Sequence, residues 1–108
     1  MWQLFLDDIR FPVKDNDFIV ARSVEQAIQL CEKNGCPSYI SFDHDLGDDT
    51  PSGFDFAKYL VEKDLDMGFI PDNFDYYIHS ANPVGKQNID GLLKGYIQFK
   101  KKQKYGRL

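Results

Sequence analysis

Four short apolar runs recur along this 108-residue chain, and segments with helical periodicity lie between and after them. The runs have the length of buried strands, and they span residues 2–6, 18–21, 39–42 and 74–78. Strands that alternate with helices build a parallel sheet. The pattern therefore predicts an α/β fold with a short parallel sheet of about four strands and three helices.

The three helices are marked by their end residues. Ser23 and Ser52 are each followed, three residues later, by a side chain that can complete a capping box. Gly35 and Gly68 follow the last periodic residues of these two helices. Asn82 precedes a third helix, which begins with a proline. These signals place the helices in the intervals that the apolar runs leave.

Nothing in the sequence divides the chain, so we predict a single domain over residues 1–108. Hydrophobic residues make up 43% of the chain, which suffices for one packed core. A basic C-terminal tail is expected at about 100–108. No apolar run approaches the roughly 20 residues of a membrane helix, and the N-terminus lacks the basic start of a signal peptide. We therefore expect a cytoplasmic protein without a membrane partner.

Three of the four predicted strands end in polar or ionisable side chains. Asp7-Asp8 follows the first strand, Asp43-His44-Asp45 the third and His79-Ser80 the fourth. The carboxyl ends of parallel strands meet at one edge of a sheet, and ligands bind outside that edge. We expect these side chains to form the functional site.

These strand ends resemble the receiver domain of two-component signalling. Asp7-Asp8 looks like the metal-binding acid pair of that family, Asp45 like its phosphoacceptor, and Ser80-Ala81 like its switch position. The sequence departs from the receiver pattern at three points. The loop after Asp8 is too short for a helix, no fifth strand with a lysine follows, and two histidines stand at strand ends.

Three longer phrases are similar to a divergent branch, the cyclic-phosphate-processing receiver-like family. They are LFLDDIRFP at 4–12, SFDHDLG at 41–47 and IHSANPVG at 78–85. The resemblance implies a compact, flavodoxin-like three-layer sandwich that acts on the cyclic phosphate of a nucleotide or of an RNA end. It also implies a bacterial cell, or a cell infected by a phage, as the setting.

The acids of the cluster are candidate metal ligands. Hard divalent cations take oxygen ligands, and the predicted set is Asp7, Asp8 and Asp45. The expected cofactor is Mg²⁺ or Mn²⁺, and a histidine in the coordination shell would favour Mn²⁺. Such a cation polarises a phosphoryl oxygen or makes a bound water more acidic.

His44 and His79, together with Asp45, are the predicted catalytic residues. Opening a cyclic phosphodiester needs a base to activate water and an acid to protonate the leaving alkoxide, and histidine serves both roles near neutral pH. The assignment of acid and base stays open. The predicted contacts to substrate and phosphate are Arg10, Asp43, Ser80, Asn82, Gly85 and Lys86, of which the last three lie at a helix N-terminus.

The leading hypothesis is therefore a metal-assisted phosphodiesterase-type hydrolase. One alternative is a binding module that captures a cyclic nucleotide without cleaving it. The other is a degenerate receiver that serves as a phosphoacceptor or interaction domain, and the missing lysine makes it the weakest. Phe11, Phe42 and Phe54 are candidates for stacking on a base, although such residues more often belong to the core.

Overall fold

The computed structural model describes residues 2–12, 17–47 and 50–105, and it contains the seven predicted elements. The predicted strand bounds lie within one residue of those observed. In chain order the elements are β1 (Gln3–Leu6), β2 (Phe18–Ala21), α1 (Val24–Asn34), β3 (Tyr39–Phe42), α2 (Gly53–Met67), β4 (Asp75–Ile78) and α3 (Pro83–Tyr105).

The four strands form one parallel sheet in the order β2-β1-β3-β4. Leu6 pairs with Ala21 and with Phe42, and Phe42 pairs with Ile78, so the carboxyl ends of all four strands are level. The chain steps from β1 to one side and then crosses back over it to β3. The topological switch point therefore lies between β1 and β3, where α/β sheets bind ligands.

The hydrophobic core lies on one face of the sheet. Every second residue of the central strands is fully buried there, including Leu4 and Leu6 of β1 and Ile40 and Phe42 of β3. The helices contribute the other half of this core, with Cys31, Phe56, Leu60, Ile89 and Leu93 all at most 1% exposed. Burial of this apolar surface is the main force that holds the helices to the sheet.

The helices that the structure describes form one layer, whereas a three-layer sandwich has helices on both faces. The crossovers from β2 to β3 and from β3 to β4 run in the same direction, and right-handed crossovers in one direction place their helices on the same face. Only the step from β1 to β2 runs the other way, and its short loop carries no helix among the described residues. The architecture in this region is therefore a sheet covered by α1, α2 and α3 on one side.

The helix N-termini follow the capping signals of the sequence. Ser52 and Asp55 form the complete capping box at α2. At α1 the Ser23 hydroxyl accepts from the backbone N–H of Gln26, but the Gln26 side chain accepts from Arg22 N–H rather than from Ser23 N–H. The predicted box is thus complete at α2 and shifted by one residue at α1.

A buried carboxylate, Asp64, ties α2 to α3. Its Oδ1 accepts from the backbone N–H groups of Phe69 and Ile70, both at 2.7 Å. Its Oδ2 accepts from the Tyr96 hydroxyl and lies 2.9 Å from Lys100 Nζ. Burial acts to raise the pKa of Asp64, but these donors outweigh burial and lower the pKa to about 2.

The predicted basic tail begins inside α3, which continues to Tyr105, while residues 106–108 lie outside the described part of the chain. Lys100 belongs to the Asp64 contact rather than to a solvated tail. Among the described residues, no helix combines the length and apolar character needed to cross a bilayer.

Candidate functional site

Asp7, Asp43 and His79 occupy the same level at the carboxyl end of the sheet. Each is the first residue after its strand, and its backbone N–H donates to the last residue of the neighbouring strand. Asp7 N donates to Ala21 O at 3.1 Å, Asp43 N to Leu6 O at 2.9 Å, and His79 N to Phe42 O at 2.8 Å. These bonds continue the sheet ladder by one residue and bring the three side chains together at the switch point.

Asp7 is fully buried and accepts hydrogen bonds on both carboxylate oxygens. Its Oδ1 accepts from the backbone N–H groups of Ile9 at 3.0 Å and Arg10 at 2.9 Å, and its Oδ2 from His79 Nε2 at 2.9 Å. Burial acts to raise the pKa of Asp7, but these donors outweigh it and hold the pKa below its usual value. Asp7 is therefore an anion at neutral pH.

The His79 ring is fixed by three contacts. Its Nε2 meets Asp7, its Nδ1 lies 2.8 Å from Ser41 Oγ, and its plane stacks on Phe5 with centroids 4.7 Å apart and an interplanar angle of 3°. Because Asp7 only accepts, Nε2 carries the proton in this arrangement and the Ser41 hydroxyl donates to Nδ1. Both ring nitrogens of His79 are therefore engaged with the protein.

Asp43 is 5% exposed, and its carboxylate is only partly used by the protein. Its Oδ1 accepts from His44 N–H at 2.8 Å, while Oδ2 has no donor among the described residues. The start of α2 presses against the same loop, since a Cβ on Gly53 would lie 2.0 Å from the Asp43 carbonyl oxygen. A glycine is therefore required where α2 meets the Asp43 backbone.

Asp7, Asp43 and His79 present one ligand atom each within 4.8 Å of one another. Two carboxylate oxygens and one imidazole nitrogen are donors that divalent transition metals accept. This trio differs from the predicted set of Asp7, Asp8 and Asp45. β3 ends at Phe42, so Asp43 is the residue directed to the switch point, while Asp45 lies two residues further on and is exposed.

His44 forms a separate pair with Asp45. Its Nδ1 lies 2.8 Å from Asp45 Oδ1, and no described residue contacts its Nε2. The hydrogen bond from His44 is the main reason that the pKa of Asp45 is lowered. The first turn of α3 packs against the ring, because a Cβ on Gly85 would lie 2.3 Å from His44 Cγ. The ring thus has one nitrogen held by a carboxylate and the other available.

The predicted anion-binding residues at the start of α3 are engaged with one another. Asn82 Oδ1 accepts from Gly85 N–H at 3.0 Å, so Asn82 caps the helix. This bond occupies the backbone N–H of Gly85, which was expected to bind phosphate. Asn82 Nδ2 lies 3.4 Å from both oxygens of Asp45, and Ser80 Oγ accepts from Asn82 N–H. Lys86 Nζ lies 6.0 Å from the centroid of the Tyr77 ring.

An open pocket of about 350 Å³ lies beside these groups. Arg10 lines it with an exposed guanidinium, whose Nε lies 3.6 Å from Asp7 Oδ2. Its full lining is Asp8, Ile9, Arg10, Asp43, Asp45, Gly47 and Ala81. Three carboxylates and one arginine therefore surround the pocket, which gives it a net negative charge.

Three site residues were not anticipated from the sequence. Ser41 contacts His79, and Gly53 admits the start of α2 beside Asp43. Arg22 Nη1 donates to the carbonyls of Asp7 and Arg10 and so holds the loop after β1. Ser41 falls on the strand face opposite the core, which is a usable signal, but Arg22 is brought to the loop only by the pairing of β1 with β2.

The three aromatic candidates have different surroundings. Phe42 is fully buried in the core, and Phe54 is half-buried on α2 with Lys58 above its ring. Phe11 is 74% exposed and directly follows Arg10. Of the three, Phe11 has the most exposed ring, and it follows the pocket residue Arg10 in the chain.

A parallel sheet with acids at the ends of β1 and β3, packed against helices on one face, defines a receiver-like α/β protein. The family model described as the cyclic-phosphate processing receiver domain matches residues 2–95. The chain therefore belongs to this family, as its motifs indicated.

Among solved structures, the chain is similar to one described as the yeast Spc42 trimeric coiled coil, amino acids 181–211, fused to another structure. The TM-score is 0.56 at 13% identity, and the match covers 94% of this chain and 81% of the other. At this identity the likeness extends to the fold alone. A comparison with curated proteins found no match.

Proposed function

We propose that this protein is a metal-dependent phosphodiesterase-type hydrolase that opens the cyclic phosphate of a nucleotide or an RNA end. One observation carries the proposal: two histidines on adjacent strand ends are held in different ways. His79 belongs to a three-residue ligand set with Asp7 and Asp43, and His44 is paired with Asp45 and keeps Nε2 available. This division supplies a cation site and a proton-transfer group at the carboxyl end of the sheet, next to the pocket that Asp43 and Asp45 line.

The charge of the pocket supports a requirement for a cation. A phosphodiester anion entering the pocket would face Asp8, Asp43 and Asp45, with Arg10 as the opposing charge in the lining. Like charges repel strongly in a partly desolvated site. A divalent cation held by Asp7, Asp43 and His79 would offset the net negative charge of the pocket. When bound, it would polarise a phosphoryl oxygen and acidify a water molecule.

Ser41 supports a ligand role for His79. Ligation through Nε2 requires that this nitrogen lose its proton, and the remaining proton then resides on Nδ1. Nδ1–H would donate to Ser41 Oγ, which lies 2.8 Å away, and so keep the ring in place. Because imidazole is a better ligand for Mn²⁺ than for Mg²⁺, we expect Mn²⁺ to be preferred.

His44 is the group best suited to move a proton. Asp45 holds Nδ1 and thereby fixes the tautomer and the orientation of the ring, as carboxylates do in other histidine-dependent enzymes. Nε2 is then available to take a proton from the attacking water and, from the imidazolium so formed, to pass it to the leaving alkoxide of the opened ring. Arg10 provides the planar donor group that phosphate oxygens prefer.

A panel of cyclic phosphates tests this function. Purified protein would be incubated with Mn²⁺, Mg²⁺ or a chelator and with 2′,3′-cyclic mononucleotides, 3′,5′-cyclic mononucleotides and cyclic dinucleotides. Products would be identified by chromatography and mass spectrometry. We expect a linear phosphomonoester or phosphodiester that forms with Mn²⁺ and not with chelator. Intact nucleotides under every condition would reject hydrolysis.

The capture module remains the second candidate, because both ring nitrogens of His79 are engaged and only His44 is open for proton transfer among the described residues. A nucleotide that binds with measurable affinity and is recovered intact would support capture. The phosphoacceptor alternative has less support. Asp45 is hydrogen-bonded to His44 and Asn82, and the described sheet ends at β4, without a fifth strand to carry a lysine.

A further inference from the structure

An apolar patch flanks the arginine of the pocket. Ile9 and Phe11 stand on either side of Arg10 in the loop after β1, and their side chains are 75% and 74% exposed. Ile9 itself lines the pocket. Consecutive Cα atoms are about 3.8 Å apart, so the backbone position of Phe11 is that distance from Arg10, the proposed phosphate contact. Large exposed side chains that adjoin a polar pocket are typical of a ligand surface.

The Phe11 ring is positioned by a second arginine. The Arg22 guanidinium carbon lies 4.5 Å from the ring centroid, which is a cation–π contact. The same guanidinium donates through Nη1 to the carbonyls of Asp7 and Arg10, so it is anchored to the loop backbone. Arg22 therefore supports one face of the ring, and the high exposure of Phe11 leaves the opposite face accessible.

We propose that the open face of Phe11 stacks on the nucleobase of the substrate, while Arg10 contacts its phosphate. This inference rests on the proposed function and makes it more specific, because it assigns recognition of the nucleobase to Phe11. A nucleotide carries base and phosphate on one ribose, which matches the placement of Phe11 and Arg10 on neighbouring residues. Stacking on one aromatic ring tolerates every base, so we expect little selectivity among adenine, guanine, cytosine and uracil.

The test compares two compounds that share a five-membered cyclic phosphate, one with a nucleoside and one with neither ribose ring nor base. One is 2′,3′-cyclic AMP and the other is glycerol 1,2-cyclic phosphate, which carries no base. The measured quantity is kcat/KM with Mn²⁺ if the ring opens, or Kd by calorimetry if the compound stays intact. Wild-type protein is expected to favour the nucleotide by about tenfold or more. Phe11→Ala should remove this preference, and Phe11→Trp should retain it.

A matched control is available on the same chain. Phe99 is 50% exposed on α3, and 16 residues of helix separate it from the start of α3, which is about 24 Å at 1.5 Å per residue. Phe99→Ala removes an exposed aromatic ring away from the pocket and should leave the preference unchanged. A thermal melt of each variant confirms folding, which substitution of an exposed side chain should preserve.

The outcomes separate the inference from the proposed function. If wild type acts on both compounds equally, or if Phe11→Ala lowers both to the same extent, stacking is rejected and the hydrolase or capture function stands. If wild type neither binds nor opens these compounds or any cyclic nucleotide of the panel, the inference and the proposed function are both rejected. A short RNA ending in a 2′,3′-cyclic phosphate, added as a third arm, distinguishes an RNA end from a mononucleotide. The inference is supported if wild type prefers the mononucleotide or the RNA end over the glycerol compound and Phe11→Ala loses this preference.

Discussion

At the scale of single residues, the two histidines differ in what their ring nitrogens contact. His79 is hydrogen-bonded on both nitrogens and stacked on Phe5, so the protein fixes the orientation of its ring, as the proposed cation site requires. His44 is bound through Nδ1 alone and has Nε2 available. A rigid ligand and a proton-transfer group are different requirements, and the two contact patterns fit them separately.

Substituting the two histidines should therefore produce different defects. His44→Ala should lower kcat about a hundredfold or more, the usual contribution of a general acid or base, and leave the Mn²⁺ affinity unchanged. His79→Ala should weaken Mn²⁺ binding by at least about tenfold. Steady-state kinetics over a Mn²⁺ titration, with calorimetric measurement of Mn²⁺ binding, separates the two effects. An equal loss of Mn²⁺ affinity in both variants would contradict the division.

Asp43 provides a sharper comparison at the same scale, because Asp45 lies only two residues away. Asp43→Asn should reduce Mn²⁺ affinity by at least about tenfold, since an amide oxygen is a weaker ligand than a carboxylate. Asp45→Asn should affect kcat instead, because Asp45 orients His44. Calorimetry with Mn²⁺ on both variants checks the prediction. A stronger loss of affinity in Asp45→Asn would restore the ligand set indicated by the sequence.

Residue patterns alone did not distinguish Asp43 from Asp45. The segment Asp43-His44-Asp45 offers a carboxylate on each side of a histidine, and a strand end that moves by one residue changes which side chains face the switch point. The sequence did place Asp7, His44 and His79 at strand ends, and the structure places them there. Arg22 required the pairing of β1 with β2, which is a long-range property.

At the scale of elements, the first turn of α3 determines the position of His44. Gly85 is buried and faces the imidazole so closely that a methyl group would overlap with the ring. Asn82 holds this turn through the Gly85 N–H and also reaches Asp45. The helix start therefore supports the His44–Asp45 pair. The sequence pattern suggested that Gly85 N–H binds phosphate, but Asn82 occupies this N–H.

Two glycine substitutions on α3 test this contact. Gly85→Ala should displace the His44 ring and lower kcat by about tenfold or more, because small misplacements of a catalytic group are costly. Gly95→Ala is the matched control, since a Cβ there meets nothing within 4 Å. It should leave kcat unchanged and stabilise the fold by about 0.5–1 kcal/mol through helix propensity. Equal activity in the two variants would reject the role of Gly85.

The helices and strands were predictable because their signals are local. Apolar runs, Ser23 and Ser52 at helix starts, and Gly35 and Gly68 at helix ends all act within a few residues. The placement of every helix on one sheet face was not predictable from these signals. It follows from the strand order β2-β1-β3-β4, because the described part of the loop after β1 contains no helix. Strand order depends on contacts between distant residues.

At the scale of the whole molecule, Asp64 links α2 and α3 in the region opposite the site end of α3. Its lowered pKa means that folding favours the ionised carboxylate. The contribution to stability is fully present above the unfolded pKa of 3.8 and is lost as the pH falls through about 2. A difference of nearly two pKa units corresponds to about 2 kcal/mol.

Urea unfolding between pH 2 and pH 7 tests this link. Relative to wild type, Asp64→Asn should lower the free energy of unfolding by about 2 kcal/mol at neutral pH, and the difference should shrink between pH 4 and pH 2. Asp66→Asn, at an exposed position on the same helix, is the control and should follow wild type at each pH. If the difference in unfolding free energy between Asp64→Asn and wild type stays constant with pH, the ionised Asp64 carboxylate does not provide this stability.

Hydrolysis of a cyclic phosphate adds one oxygen atom from water to the phosphorus, and oxygen-18 labelling detects that atom. The preferred substrate of the panel would be incubated with protein and Mn²⁺ in oxygen-18-labelled water, and the product phosphate analysed by mass spectrometry. We expect one heavy oxygen on the phosphate of the ring-opened product, and about a hundredfold less of this product with His44→Ala over the same period. An intact ring, or a product without the label, would contradict the proposed hydrolysis.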